Sequence, residues 1–418
     1  MLDLVLRNVR LPGGRVVDIE VEGGRVVHIG AGGHASTTLD CTGLVVLPGA
    51  IDMHVHLRGG AQAQKEDWRT GTRSALAGGV TMVVDQPNTD PPLDTVDCFR
   101  ARVDGARKES LCAFGVNAAV TPTAEIEDLH RAGALAFGEV FVAPSSYGEA
   151  LDDDVLRDAL TRIGALGGLA TLHLEEIGPG DVSTLEEHDR CRPPDGEVRA
   201  LDRVLALAPR GVRLHCCHMT SPNAIRRAHR TGATVEVTPH HLLLDRDRYR
   251  SSDARGRVNP PLRTRAEVER LGICIQLVDA LASDHAPHTE EEKARPFAEA
   301  PSGLPGVETM VPLMLARVLN RKMTVPRLID LTVDGPARIL GVPAPGFRAG
   351  DRADFACYRP VAEPIVSSRL HSRCGWTPYE GMPAVFPERV IRAGEVAYEF
   401  GDYSGVPGEW FTGNGFII

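Results

Sequence analysis

The chain has 418 residues, 43% hydrophobic and 24% charged, an ordinary balance for a soluble globular protein with room for one barrel-sized domain and an appendage. A net charge of −10 gives no hint of a nucleic-acid partner, and no apolar run reaches the roughly 18 residues of a membrane span. Nine cysteines without a CxxC pair, and a start that lacks a basic segment before an apolar core, predict a cytoplasmic protein with reduced thiols and no signal peptide.

Residues 2–46 read as short strands separated by glycine turns: "LVLRNVRL", "VVDIEVEGG", "RVVHIG" and "GLVVLPG". From about residue 49 the texture changes, and short apolar runs alternate with longer segments of helical period such as "DDDVLRDALTRIGALGG". The candidate strands are "AIDMHVH" (50–56), "VTMVVDQPN" (80–88), "AFGVNAAVT" (113–121), "ALAFGEVFV" (134–142), "GLATLHL" (168–174), "VRLHCCH" (212–218), "TVEVTPHH" (234–241) and "LASDHAP" (281–287). Eight such runs, most followed by a helix, predict an α/β fold with a TIM (β/α)8 barrel. After residue 345, "FRAGDRADFACYRP" and "RVIRAGEVAYEFG" return to β texture. The expected domains are therefore a small β domain built from residues 1–48 and 345–418, flanking a catalytic barrel over residues 49–344.

In a barrel the C-terminal strand ends converge on one mouth, and here several carry metal-ligand side chains. His54 and His56, two residues apart, aim to the same side of strand one, with Arg58 following at the same spacing. Strand four carries Glu139, strand five His173, strand six His218 and strand eight Asp284. Imidazoles and carboxylates are the usual ligands of Zn²⁺ and related ions, and four histidines with two carboxylates suffice for two metals sharing one carboxylate. Any one of these residues alone reads as a core histidine or a salt-bridge partner; together, in chain order, they point to a metal site. Strand six is ambiguous, because His215 and His218 have opposite parity, and His240 and His241 pose the same question.

The run "PGAIDMHVHLR" followed by "ASDHAPHT" resembles the dihydroorotases of the cyclic amidohydrolase group, within the metal-dependent amidohydrolase superfamily. The resemblance continues in order through "DQPNTDPP" (85–92), "TLHLEE" (171–176), "LHCCHMTS" (214–221), "TPHHLLL" (238–244), "VNPPLRT" (258–264), "PSGLPGVET" (301–309) and "WTPYEGM" (376–382). It implies a TIM barrel with a small β domain from both termini, and it makes His54, His56, His173, His218 and Asp284 metal ligands. It also implies substrate contacts from Arg58, His56, Asn88, Asn259, His288 and the Ser302–Gly303 backbone, leaving His215, His240 and His241 structural.

One departure stands out. Many relatives bridge their metals with a carboxylated lysine on strand four, and "FGEVFVA" puts Glu139 there instead. A glutamate supplies a bridging carboxylate without carbamate formation, so two divalent ions, Zn²⁺ foremost, are expected between Glu139 and a hydroxide. "HLEE" likewise replaces the more usual His-Ala-Glu-Asp at 173–176. The implied reaction is reversible hydrolysis of (S)-dihydroorotate to N-carbamoyl-L-aspartate in pyrimidine synthesis, with Asp284 as general base and then acid. A hydantoinase, dihydropyrimidinase or allantoinase would share the barrel and ligands but act on rings without this carboxylate. A non-catalytic scaffold would have lost ligands that are all present here. Self-association, and association with aspartate carbamoyltransferase, are left open.

Overall fold

A computed structural model of the chain describes residues 2–11, 13–144 and 150–413. The apolar runs become strands, and in Ala50–Val55 and Val80–Asp85 every residue is buried, as parallel strands covered on both faces require. These two and Ala113–Val116 pair in chain order, all parallel. Phe137–Phe141, Leu169–His173, Arg213–Cys216, Thr234–Val237 and Ala280–Leu281 form a second parallel sheet, again in chain order. Parallel bridges join Ala118 to Phe137 and Val55 to His285, so the two sheets meet at both edges.

Helices return the chain between most of these strands, and their ends are written locally. Trp68–Ala77 begins at Asp67, whose carboxylate accepts from the Thr70 N–H while the Thr70 hydroxyl accepts from the Asp67 N–H. Pro222–Thr231 is opened by the Ser221 side chain and the proline itself, and closed by Gly232 in the left-handed region. Strands and helices share one core that includes Leu57, Phe99, Phe114, Leu160, Leu201 and Val235. Each such side chain contributes about 1.5–3 kcal/mol by leaving water.

Strands from both ends of the chain share a nine-stranded sheet. Leu2–Arg10 pairs with Val16–Glu22, and Val45–Pro48 pairs with Phe355–Tyr358, which leads on through Pro387–Arg392 to Glu395–Glu399. Gly23 and Gly24, at φ 59° and 72°, make the tight turn that "EGGR" predicts. Ala35–Asp40, which pairs in parallel with Leu2–Arg10, escapes the alternation rule because its "ASTTLD" is mostly exposed and nearly without apolar residues. The sheet meets the parallel strands where the Tyr358 hydroxyl donates to the Gly78 carbonyl at 3.4 Å.

Three candidate strands are shorter than their apolar runs suggest. "VRLHCCH" leaves the sheet at Cys216, and His218 adopts a left-handed φ of 34°. "TVEVTPHH" ends at Val237, because Thr238 caps a helix, Pro239–Leu243, with proline in its first turn. "LASDHAP" keeps strand geometry only over Ala280–Leu281, and Asp284 sits at φ 44°. Among the described residues no helix is long and apolar enough to cross a membrane. All nine cysteines are free thiols, eight of them buried.

Candidate metal centre

The six candidate ligands come from five strands or the turns just beyond them, and all are buried. His54 lies within its strand with His56 just past the end, Glu139 is central in Phe137–Phe141, and His173 closes Leu169–His173. His218 and Asp284 stand beyond their strand ends, turned inward by left-handed backbone that costs about 1–3 kcal/mol per non-glycine residue. The Asp284 turn is held in place: Asp52 accepts from the Ser283 N–H at 3.0 Å, Ser283 Oγ accepts from the His285 N–H at 3.0 Å, and the His56 N–H donates to the His285 carbonyl at 2.8 Å.

Glu139 occupies the middle. Its Oε1 lies 2.7 Å from His173 Nδ1 and 2.5 Å from His218 Nε2, and its Oε2 lies 3.7 Å from His54 Nε2. Asp284 Oδ1 is 3.1 Å from His56 Nε2 and 3.6 Å from His54 Nε2. Ligand atoms of His54, His56 and Glu139 cluster within 4.8 Å of one another, and so do those of Glu139, His173 and His218. Glu139 belongs to both groups. A third cluster, His54, Cys217 and Glu236, shares only His54 with them.

Outer acids fix the ring orientations. His54 Nδ1 donates to Glu236 Oε1 at 2.6 Å, and the other Glu236 oxygen accepts from His215 Nε2 at 3.0 Å. His173 Nε2 donates to Glu175 Oε2 at 2.6 Å, and Arg192 reaches the same oxygen at 2.5 Å. His56 Nδ1 donates to Asn88 Oδ1 at 2.7 Å. With Nδ1 committed to Glu236, His54 turns its Nε2 lone pair inward, where it is buried and has no hydrogen-bond partner.

The residues fit a pair of divalent cations. A lone pair facing two carboxylates is repulsive unless positive charge lies between them, and imidazole nitrogen with carboxylate oxygen is the donor set such ions take. The titration behaviour says the same. Burial lowers the His173 imidazolium, but Glu139 and Glu175 outweigh it and hold the pKa up to about 9. Burial raises the Glu139 carboxyl, yet the charges of His173 and His218 keep it well below the usual range. Asp284 is likewise raised by burial and brought below its ordinary value by the His56 hydrogen bond and the His54 charge. The acids call for positive charge at the centre, as protons or as metal.

Arg58, Asn88, Asn259, Ser302 and Gly303 line the same pocket as His56, Glu139, His173, His218 and Asp284. Arg58 is buried, and that burial pulls its guanidinium down to about 10 against the pull of Asp284 and Asp85. Its backbone carbonyl accepts from Arg102 at 2.6 Å, and Asp85 accepts from the Leu57 N–H at 2.8 Å. His288 stands just behind, its Nε2 3.1 Å from the Ser302 carbonyl and 3.3 Å from Arg58 Nη2. Burial lowers the His288 imidazolium to about 3, so the ring is neutral at physiological pH.

All the sequence-designated site residues therefore meet in one place. The parity problem of strand six disappears, because the strand ends before His218, while His215 is spent between Thr234 and Glu236. His241 bonds Thr238 and the Pro260 carbonyl, whereas both ring nitrogens of His240 are buried without a partner. Asp52, Glu175 and Glu236 were not singled out from the sequence. The available signal was an acid inside an apolar strand, as in "IDMH" and "TVEV".

The model of the amidohydrolase family matches residues 45–369. A dihydroorotase of Methanosarcina acetivorans is 38% identical over 451 residues, covering 99% of this chain and 96% of its own length. A dihydroorotase of Halobacterium salinarum is 37% identical over 406 residues, covering 94% and 96%. Among solved structures, an L-hydantoinase (dihydropyrimidinase) from Arthrobacter aurescens superposes with a TM-score of 0.90 at 26% identity, over 99% of this chain and all (100%) of its own. A dihydropyrimidinase from Brevibacillus agri, 23% identical over 100% of both chains, shares the fold with a TM-score of 0.87.

Glu236 gives this centre its first test. Glu236→Gln keeps the shape but replaces one of two acceptor oxygens with a donor, so it cannot hold both the His54 and His215 N–H groups. Divalent-metal affinity, read by zinc titration of apoprotein against a competing chelator, is expected to fall about 10–100-fold. Unchanged affinity would show that Glu236 does not orient His54.

Proposed function

The chain belongs to the amidohydrolase family, and we propose that it works as a dihydroorotase, hydrolysing (S)-dihydroorotate reversibly to N-carbamoyl-L-aspartate, with ring closure as the direction that serves pyrimidine synthesis. In this reading the two parallel sheets close into a (β/α)8 barrel with the metal centre at its C-terminal mouth. The observation that carries the substrate assignment is Arg58, a buried guanidinium on the wall of a pocket whose floor is the His–carboxylate cluster. A guanidinium on the pocket wall presents the planar donor fork that a substrate carboxylate takes.

His54, His56 and Glu139 would hold one zinc ion and Glu139, His173 and His218 the other, with Asp284 beside the first group. Bound there, the cations polarise the ring carbonyl and lower the pKa of water. Asp284, held ionised by its histidine neighbours, takes the proton of the attacking water as the oxygen bonds to the ring carbonyl carbon. The carbon–nitrogen bond then breaks, and Asp284 returns that proton to the departing nitrogen. In the synthetic direction the same carboxylate removes it.

The remaining residues orient the ring. The Arg58 fork matches the substrate carboxylate in a bidentate pair. Asn88 gives its carbonyl oxygen to His56 and keeps its NH₂ group for the substrate. Asn259 Oδ1 is buried without a partner, an acceptor suited to a ring N–H. His288, neutral, steadies the Ser302 carbonyl and flanks the guanidinium.

A substrate panel on metal-loaded protein tests the reading. Dihydroorotate and carbamoyl aspartate should interconvert, whereas hydantoin, dihydrouracil and allantoin should be poor substrates; preference for any of these three would move the assignment to a different cyclic amide. Arg58→Met should raise KM for dihydroorotate about 100-fold or more while leaving metal content intact, because Arg58 binds substrate only. Metal loss in that variant, or an unchanged KM, would sink the carboxylate assignment. Asp284→Asn preserves shape but cannot carry the proton, and kcat should drop by about 10²–10⁴. Near-normal turnover would take Asp284 out of the proton path. Glu139 binds as it stands, so metal loading should be indifferent to bicarbonate, and Glu139→Ala should lose one or both ions together with nearly all activity. A full metal complement in Glu139→Ala would refute bridging.

A further inference from the structure

Lys293 ends a short helix, Glu290–Lys293, in a run of acids that reads as a solvated face. Its side chain instead turns inward and is 2% exposed. The ammonium meets three backbone carbonyls: Arg257 at 2.9 Å, Pro301 at 2.9 Å and Gly303 at 3.1 Å. Three N–H donors thus find three acceptors, which is what lets a lysine sit away from water. Among the described residues no carboxylate is a hydrogen-bond or ion-pair partner of this ammonium, and the three carbonyls account for its burial.

The identity of those carbonyls is informative. Arg257 lies two residues before Asn259, and Pro301 and Gly303 bracket Ser302. Asn259, Ser302 and Gly303 all line the pocket above the metal centre. The Gly303 N–H also donates to the Arg257 carbonyl, at 3.1 Å, so the two loops are joined there by one direct bond and by the ammonium. The loops have little slack of their own. Gly303 sits at φ 140°, and a Cβ on it would lie 2.5 Å from the Ala286 carbonyl oxygen.

We propose that Lys293 is a positioning residue for substrate: its ammonium clamps the 257–259 loop to the 301–303 loop and so sets the spacing of the two walls that hold the ring. This rests on the reading of Asn259 and the Ser302–Gly303 backbone as substrate contacts. Lys293 does not touch the metal ligands or the reacting atoms. Its removal should therefore loosen binding of the ring in ground and transition states alike, which raises KM and spares kcat.

The test uses metal-loaded full-length protein with Lys293→Met, which keeps much of the volume, and Lys293→Gln, which keeps a polar end with fewer donors. Wild type and variants are compared for metal content, for KM and kcat with dihydroorotate, and for amide hydrogen exchange. The expected result is full metal content, KM raised about 10–100-fold, kcat within about threefold, and faster exchange confined to peptides spanning 257–259 and 301–304. Methionine should be the more severe of the two. An unchanged KM in a metal-replete variant overturns the proposal. So does a parallel loss of metal and kcat, or failure of both variants to fold, because Lys293 would then be a general prop of the structure. If wild type itself does not turn over dihydroorotate, the functional reading fails, and the exchange comparison alone decides whether Lys293 clamps the loops.

Discussion

A single buried carboxylate, Glu139, faces His173 and His218 through one oxygen and His54 through the other, and the rest of the centre is arranged around that sharing. Imidazoles packed this closely in a dry interior have no reason to converge on one acid unless positive charge belongs between them. The outer acids make the same point from behind. Glu236 and Glu175 each take a ring proton, which commits one nitrogen outward and leaves the other for the centre. Burial raises the Glu236 carboxyl, but His54 and His215 bring it down to about 2, so its charge persists across the physiological range.

Convergence on that carboxylate has consequences for the backbone. Strand period alone delivers His54, Glu139 and His173, which lie inside their strands. It cannot deliver His218, Asp284 or Arg58, whose chains have already left the sheet. Each of these three adopts positive φ, at 34°, 44° and 47°, and lines the pocket around Glu139. Such geometry survives because neighbouring bonds over-determine it, as Asp52 and Ser283 do for Asp284 and as Arg102 does for Arg58. Rigid parallel strands supply the reference frame, and within the pocket wall the left-handed backbone falls on Arg58, His218 and Asp284.

This division also explains what the sequence made legible. The parallel strands were visible because buried parallel strands are nearly continuous apolar runs, and His54 and His56 were visible because period two is a local rule. The strand ends were less so. Nothing local says that "LHCCH" leaves the sheet before its last histidine, so parity alone could not choose between His215 and His218, whereas Thr238 and Pro239 do carry a local helix-start signal inside the apolar run. Glu236 binds His54 across 182 residues of chain, and Lys293 binds carbonyls on two other loops; in the sequence, the first is an acid in a strand and the second a charge on a helix end. Roles that arise from long-range contact with backbone or with another side chain leave almost no local trace. Ala35–Asp40 is the converse, a strand held by pairing alone and without an apolar period.

Fold alone does not select a substrate, since an L-hydantoinase superposes on nearly the whole chain at 26% identity. Discrimination has to come from the wall of the pocket, where the proposed reading sets the substrate carboxylate against Arg58. The guanidinium is buried, and the charges of Asp284, Asp85 and Glu292 favour it while that of Arg102 opposes it. In the proposed reading a ring that carries a carboxylate forms a bidentate pair with that guanidinium as it enters. A ring without one forgoes that pair, a larger loss than a missing methyl contact would be. Specificity in the proposed reading therefore follows from the carboxylate pair at Arg58, with the loops that carry Asn259 and Gly303 setting how closely the ring can approach it.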